Sequence, residues 1–281
     1  MNEQLVPLSE PDAMSTGAFV LPNRTMSVAM APVLNMLEWC GELGLFAWRT
    51  ITTTLTSRFP FRDFVRQLDE VGARSVPLVA LAGSAIGAVL AMEARQSLTR
   101  FGAKSLLPSA IVFAVIIEMS PIVTGLVVSG RVGAGIGAEL AAMEVTEQID
   151  AIEASAVDPF RILAVPRIAA CIVALPLLTL VASFCGVLMG WVAVTLTEPI
   201  TLARFIDIGF KGAGFQNLLP PTLKTAVYGM IIGTVASFQG MRAKGGAQGV
   251  GNAATTAVVL SSLLVILADV FLVKLIVLIF P

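Results

Sequence analysis

Five long apolar runs dominate the sequence, and polar residues concentrate in the segments between them. The runs cover residues 76–94, 106–130, 162–196, 222–239 and 254–280. Because a helix of about 20 apolar residues crosses the hydrocarbon core of a bilayer, each run is long enough to be a membrane span. The alternating polarity of membrane β-strands is not visible. The pattern therefore predicts an all-α integral membrane protein with about five transmembrane helices, the third of them unusually long or kinked near Pro176.

An amphipathic segment precedes the first span. Residues 28–57 are largely apolar but carry a polar stripe at helical spacing, formed by Asn35, Glu38, Glu42, Arg49 and Thr53. Such a helix can lie in the membrane interface with its stripe facing water. The alternative is a tilted spanning helix that packs by this stripe, which is less favoured because two glutamates are costly in lipid. The preceding residues 1–27 show no periodic pattern and are expected to form a flexible cytoplasmic segment, and residues 58–281 the transmembrane domain.

Composition and charge support the membrane assignment and exclude several functions. Hydrophobic residues make up 56% of the 281 residues and charged residues 13%, about half the fraction of roughly 25% typical of soluble domains. No histidine occurs and the three cysteines are isolated. A disulfide framework, a Cys/His metal site and a histidine-dependent hydrolase are therefore not expected, nor is a nucleic-acid-binding face. The positive-inside rule places one basic connection in the cytoplasm, which contains Arg58, Arg62, Arg66 and Arg74.

One acidic stretch, residues 138–156, interrupts the apolar chain after the second span. At helical spacing its acidic and apolar side chains fall on different faces, which predicts a short cytoplasmic surface helix. The simplest alternative is a solvated connector whose charges only keep it out of the bilayer. The sequence contains no GxxxxGK[ST] phosphate loop, so the chain is not expected to be an ATPase itself. A cytoplasmic amphipathic helix on such a protein suggests a subunit that docks an ATPase.

Three ionisable residues lie inside otherwise apolar spans, namely Glu118, Lys224 and Asp269. A charge at the bilayer centre costs at least ~2.5 kcal/mol, so such groups face a cavity or one another. A structural ion pair of Lys224 with Glu118 or Asp269 and a cavity lining that meets the polar part of an amphiphile both remain open. A third possibility, from another functional class, is an ion relay in a secondary transporter or channel. The inverted repeat common in secondary transporters is not visible in the sequence.

Small residues also recur four positions apart within the spans. Such spacing lets two helix backbones approach closely, although the general abundance of glycine in membrane helices explains any single pair more simply. The pairs are Gly83 and Gly87, Gly186 and Gly190, and Gly229 and Gly233.

The stretch GRVGAGIGAELAAMEVTEQIDAIEASAVDPFRILAVPRIAACIVALPLL resembles the central signature of the MlaE/YrbE family, the permease subunits of MCE-associated ABC transporters. Similarity of layout extends from about residue 33 to the C terminus. The motifs that carry the resemblance are G-R-x-G at residues 130–133, A-E-L at 138–140, T-E-Q-I-D at 146–150, D-P at 158–159 and P-R at 166–167.

The resemblance implies that the acidic stretch is the coupling helix of a permease. In that family the corresponding segment sits in a groove of the cytoplasmic ATPase and passes its nucleotide-driven movement to the spans. It also implies that Glu118, Lys224 and Asp269 lie near a lipid-binding cavity. The polar residues carried over to the ATPase contact are Glu139, Glu144, Glu147, Gln148 and Asp150, with Ile149 and Ile152 as its apolar anchors.

The expected assembly follows from the same resemblance. It is a homodimer that encloses a lipid cavity, with two ABC ATPase subunits on the cytoplasmic side and MCE-domain proteins on the far side. The implied substrate is phospholipid or another hydrophobic lipid, moved between the bacterial inner membrane and the cell envelope. No cofactor, metal or covalent chemistry is expected of this subunit.

Overall fold

The computed structural model describes residues 23–56, 59–212 and 214–279, and all regular secondary structure in these ranges is helical. This confirms the all-α fold. Of the N-terminal segment that the sequence predicts to be flexible, residues 1–22 lie outside the described ranges and the remainder already belongs to a helix. The chain forms two compact units, residues 1–42 and 43–281.

Eleven α-helices follow one another within the described ranges; two π-helical segments connect α-helices end to end, and a third leads into one. The π-helical segments are Val115–Met119, Ser129–Gly133 and Phe160–Ala164. The α-helices are α1 Asn23–Thr56, α2 Phe61–Val71, α3 Val76–Arg100, α4 Leu107–Ala114, α5 Ser120–Val128, α6 Ala134–Val145, α7 Gln148–Ala154, α8 Val165–Thr195, α9 Leu202–Gly209, α10 Phe215–Gly240 and α11 Gly246–Ile279.

Within the described residues, four helical stretches are long and apolar enough to cross a membrane. They match four of the five predicted spans to within one residue at the C-terminal ends of two of them. The stretches are Phe61–Arg100, Lys104–Val145, Phe160–Thr195 and Gly246–Ile279.

The remaining predicted span, residues 222–239, lies in α10, which is helical over 26 residues. Because it contains polar residues such as Lys224, α10 is less apolar than these four stretches. Helix α10 packs against α6, α8 and α11, and its polar residues Lys224, Thr225, Thr234 and Ser237 are buried. The predicted count of five spans is therefore approximate. The third span is a single helix, since α8 continues through Pro176.

Helix α2 is the main element that the sequence pattern did not indicate. The sequence predicts a basic connection over residues 58–74, but Phe61–Val71 form an amphipathic helix. Phe64 and Leu68 pack against the main core, whereas Arg66 is exposed. The main core is the buried hydrophobic cluster that includes Leu140, Leu175 and Ile232. Eleven residues span only about three helical turns, so the periodicity is short and is masked by the arginines.

The C-terminal part of α1 contacts the segment that leads into α8 through Phe46 and Arg49. The guanidinium carbon of Arg49 lies 3.9 Å from the ring centroid of Phe160, and Nη2 of Arg49 lies 3.9 Å from Oδ1 of Asp158. Phe46 adds ring contacts with Phe160 and Phe238 at centroid distances of 4.9 and 5.6 Å. Arg49, on the stripe predicted to face water, makes its contacts with Phe160 and Asp158 while its side chain stays 60% exposed.

Glycines allow the backbones of neighbouring helices to touch. A Cβ atom built on Gly87 of α3 would lie 2.0 Å from the carbonyl oxygen of Gly186 on α8, and a Cβ on Gly229 of α10 would lie 2.3 Å from that of Cys171 on α8. Real Cβ atoms do not approach other atoms this closely, so only glycine fits at these two positions. The predicted glycine pairs therefore lie at real helix contacts.

Gly87→Ala is expected to destabilise the protein by about 1–3 kcal/mol, because the added methyl group forces α3 and α8 apart. The measurement is thermal unfolding of the purified chain in detergent. Gly251→Ala on α11 is the matched control, since a Cβ there meets no atom within 4 Å. An equal loss of stability in both variants would contradict the close contact.

Candidate functional site

The three ionisable residues predicted inside the spans come together in one cluster. Glu118 lies in the π-helical segment Val115–Met119, Lys224 lies on α10 and Asp269 lies on α11. Segments of π-helix are rare and are frequently found at functional sites. Three separate parts of the chain thus deliver one charged side chain each to the same place.

Lys224 bonds to both carboxylates of this cluster. Its Nζ lies 3.0 Å from Oε2 of Glu118 and 2.8 Å from Oδ1 of Asp269. Tyr228, one turn further along α10, donates its hydroxyl to the same Oδ1 of Asp269. The side chains of Lys224 and Asp269 are only 2% and 6% exposed, whereas that of Glu118 is 33% exposed. Asp269 is therefore enclosed, and Glu118 forms the open side of the cluster.

The ion pair that the sequence allowed is present, and it involves both candidate carboxylates at once. When all groups are ionised, the cluster has one more carboxylate than ammonium group and keeps a net negative charge. Buried charge is costly unless it is paired, and the carboxylate least enclosed here is Glu118. Tyr228 was not predicted as a site residue. The sequence does contain a hint of its position near the cluster, because Tyr228 is the only tyrosine and follows Lys224 by four positions, which places both on one helix face.

Lys224→Met is expected to destabilise the protein by about 3–5 kcal/mol, because it leaves the buried carboxylate of Asp269 and the partly exposed one of Glu118 without a counter-charge. The double variant Lys224→Met/Asp269→Asn removes one of these charges and should recover much of the loss. Unfolding of the single and double variants in detergent gives the coupling energy. Lys274→Met, at an exposed position of α11, is the control. Additive losses would show that the two residues do not act as a pair.

The acidic stretch 138–156 is divided into two helices rather than forming one. Its first part belongs to α6, which ends at Val145, and its second part contains α7, Gln148–Ala154. Glu147 (φ 58°) and Ala156 (φ 59°) adopt the left-handed conformation, which is uncommon for residues other than glycine. Helix α7 is thus a short element set between two sharp changes of backbone direction.

The residues carried over to the ATPase contact divide into an outward and an inward set. Glu147, Gln148 and Asp150 are exposed. Ile149 is 6% exposed and belongs to the main core, and Ile152 packs against that core. The apolar anchors predicted for a partner contact therefore face their own protein, as the apolar side of a surface helix generally does. They hold α7 against the bundle.

Two further predicted residues lie on α6. Glu144 is partly buried, and Oε1 of Glu139 lies 2.9 Å from Nη2 of Arg167 near the start of α8. Arg167 is 5% exposed and also donates to the carbonyl oxygen of Leu163 at 2.8 Å. Glu139, predicted to face a partner protein, thus has a partner inside its own chain. Arg167 was part of the P-R motif but was not predicted as a site residue.

The similarity of this chain to known proteins covers both the charge cluster and α7. The family described as Permease MlaE matches residues 64–275. A Rickettsia felis protein named "Probable ABC transporter permease protein" is 32% identical over 242 residues, which cover 86% of this chain and 93% of the relative. A Synechocystis protein named as a probable ABC transporter permease is 31% identical over 218 residues, 78% of this chain and 83% of the relative. The chloroplastic protein TRIGALACTOSYLDIACYLGLYCEROL 1 of Arabidopsis thaliana is 28% identical over 232 residues, 82% of this chain and 66% of the relative.

The helical fold and the apolar spans define a multi-pass membrane protein. The family match identifies it further: the chain belongs to the MlaE permease family, which confirms the resemblance seen in the sequence. The match begins in α2 and ends in α11, so it includes the charge cluster and α7. Membership of a permease family agrees with the expectation of a membrane subunit without catalytic chemistry of its own.

Proposed function

We propose that this chain is the membrane-spanning subunit of an ABC transporter that moves phospholipids or related hydrophobic lipids between the bacterial inner membrane and the cell envelope. The observation that carries the proposal is membership of the permease family, together with relatives named as probable ABC transporter permeases. The name of the Arabidopsis relative contains that of a diacylglycerol lipid, which supports a lipid substrate. A separate ATPase supplies the energy, because the sequence has no phosphate-binding loop.

The exposed side of α7 is the proposed contact with that ATPase. Glu147, Gln148 and Asp150 are exposed there, and charge pairs across an interface mainly fix register and orientation. On the inner side, Ile149 is buried in the core. The turn-bounded helix is thus attached to the bundle by packing as well as by its chain ends. A displacement of α7 is therefore passed on to the bundle rather than absorbed by a loose loop.

Reversing two of these charges, with Glu147→Lys and Asp150→Lys together, is expected to release the ATPase from the detergent-purified complex. The measurement is the amount of ATPase that co-elutes with the permease. The double variant Glu93→Lys/Asp207→Lys is the matched control, because it reverses two exposed charges on α3 and α9. Intact co-elution of the first variant would count against the docking role.

The transported lipid is proposed to bind in a cavity enclosed by two copies of the chain, next to Glu118. The partial exposure of Glu118 and the excess negative charge of its cluster support contact with the polar part of an amphiphile. Lys224 and Asp269 lie on the buried side of the cluster, where Lys224 bonds to Glu118 and holds it in position. In the proposed assembly, MCE-domain proteins on the far side of the membrane receive or deliver the lipid.

Glu118→Gln is expected to slow lipid transfer several-fold and to leave folding nearly unchanged, because Lys224 keeps Asp269 as its counter-charge. The assay is ATP-dependent transfer of a fluorescent phospholipid by the reconstituted permease and ATPase, with thermal unfolding measured in parallel. Glu93→Gln, at an exposed position of α3, is the control. Normal transfer, or a parallel loss of folding, would support a purely structural role for the cluster.

An ion-coupled secondary transporter or channel is the alternative function. The observation in its favour is the direct hydrogen bonding of Glu118, Lys224 and Asp269 across three helical segments. The transfer assay with the reconstituted protein distinguishes the two functions. The proposed transporter requires ATP and the ATPase, whereas an ion-coupled transporter would work without them under an imposed ion gradient.

A further inference from the structure

A polar cleft lies between α2 and α6, near the end of the bundle that carries α7. It has a volume of about 260 Å3, and its lining includes Glu70, Arg74, Arg131 and Glu139. The cleft lies where two apolar spans end, because Arg74 comes just before the first predicted span and Arg131 just after the second. At this depth a membrane presents its lipid headgroups. The basic residues of α2 predict that this is the cytoplasmic leaflet.

Arg131 is held in one orientation at this cleft. Its Nη1 donates to Oγ of Ser75 at 2.6 Å and to the carbonyl oxygen of Glu70 at 3.4 Å. Ser75 is 1% exposed, so the hydroxyl that receives this bond is itself fixed. Both acceptors are neutral, and no carboxylate among the described residues forms an ion pair with Arg131, since that of Glu70 is paired with Arg74. The guanidinium group therefore has no direct ion pair among the described residues, although Glu70 and Glu139 line the same cleft.

The space beside Arg131 is open. Gly135, one turn further along, lines the same cleft, and a Cβ atom built on it meets no other atom within 4 Å. Arg131 lies in the π-helical segment Ser129–Gly133, and such segments are often functional. A fixed cation beside empty polar space is the arrangement expected of a site for a ligand that carries negative charge.

We propose that this cleft binds the headgroup of a zwitterionic phospholipid from the leaflet at the α7 end. Arg131 and Arg74 bind the phosphate oxygens, for which the planar guanidinium group is well suited. Glu139, whose Oε1 is paired with Arg167 and whose side chain is 51% exposed, accepts from the ammonium group through its other carboxylate oxygen. Both signs of charge in the lining match both charges of the headgroup. A volume slightly below the roughly 300–1,000 Å3 of sites for drug-sized ligands suits a headgroup whose acyl chains stay outside.

This site is separate from the Glu118 cluster, and its lipid need not be the transported one. Inorganic phosphate and an acidic segment of the ATPase share part of the required chemistry. The lipid is favoured over both, because the predicted span ends place the cleft at headgroup depth and because the cleft contains carboxylates that repel a purely anionic partner.

The test is binding of short-chain dihexanoylphosphatidylethanolamine to the full chain in detergent, measured by calorimetry. Arg131→Gln is expected to weaken binding by about tenfold, because a hydrogen bond between charged groups is lost. Arg66→Gln is the matched control, since Arg66 is an exposed arginine of α2 that does not line the cleft. It should bind the lipid as the unmodified chain does.

A second variant tests the cleft without removing a charge. Gly135→Leu places a side chain in the open space and should weaken binding by at least as much as Arg131→Gln. It should not harm folding, because glycine is unfavourable inside a helix. Gly135→Ala adds only one methyl group and should retain most of the binding. Thermal unfolding of each variant confirms that it is folded.

The proposal is overturned if Arg131→Gln and Gly135→Leu bind normally, or if Arg66→Gln weakens binding equally. It is also overturned if inorganic phosphate displaces the lipid at equal concentration, or if adding the ATPase abolishes lipid binding. Lipid transfer by the reconstituted transporter tests the proposed function separately. Arg131-dependent binding without transfer would refute that function alone, whereas transfer without Arg131-dependent binding would refute the headgroup site alone.

Discussion

Lys224 must find its counter-charges inside the protein, because the bilayer core offers no water to a buried ammonium group. Its two carboxylates come from the π-helical segment before α5 and from α11. One contact therefore joins three parts of the chain that are distant in sequence. It also explains how α10, too polar to stand out as a span by composition, can lie among the apolar helices. The charge of Lys224 is buried against Asp269 of α11, and Tyr228 on the next turn of α10 also donates a hydrogen bond to Asp269.

Lipid provides no hydrophobic drive for helices to associate, so the remaining contacts depend on close packing. Helix α8 supplies the largest share of them. Its backbone meets α3 at Gly186 and α10 at Cys171, in each case opposite a glycine. Near its first turn, Arg167 pairs with Glu139 of α6. Helix α8 thus packs against α3 and α10, and an ion pair connects it to α6, the helix that leads into α7.

The sequence predicted the parts of this fold that depend on long-range periodicity and missed those that depend on neighbours. Apolar runs located the spans, and the scarcity of charge inside them singled out Glu118, Lys224 and Asp269. Helix α2 was missed because its period is short. The inward position of Ile149 could not be predicted, since an amphipathic pattern does not say whether its apolar side meets the same chain or a partner. The π-helical segments have no sequence signature of their own.

The helical stretch Lys104–Val145 connects the proposed sites without an intervening loop. Its 42 residues correspond to about 63 Å at 1.5 Å per residue, about twice the roughly 30 Å of a bilayer core. Two π-helical segments interrupt its α-helical geometry, one with Glu118 and one with Arg131, and its end leads into α7. The cleft and the charge cluster therefore lie on one continuous helical stretch, which is joined to α7 through the left-handed turn at Glu147. Because π-helical turns differ from α-helical ones in register, a change between the two rotates the side chains on one side relative to the other. Such a rotation within Val115–Met119 would alter the contact of Glu118 with Lys224, so the ion pair and the helical register of this segment depend on each other.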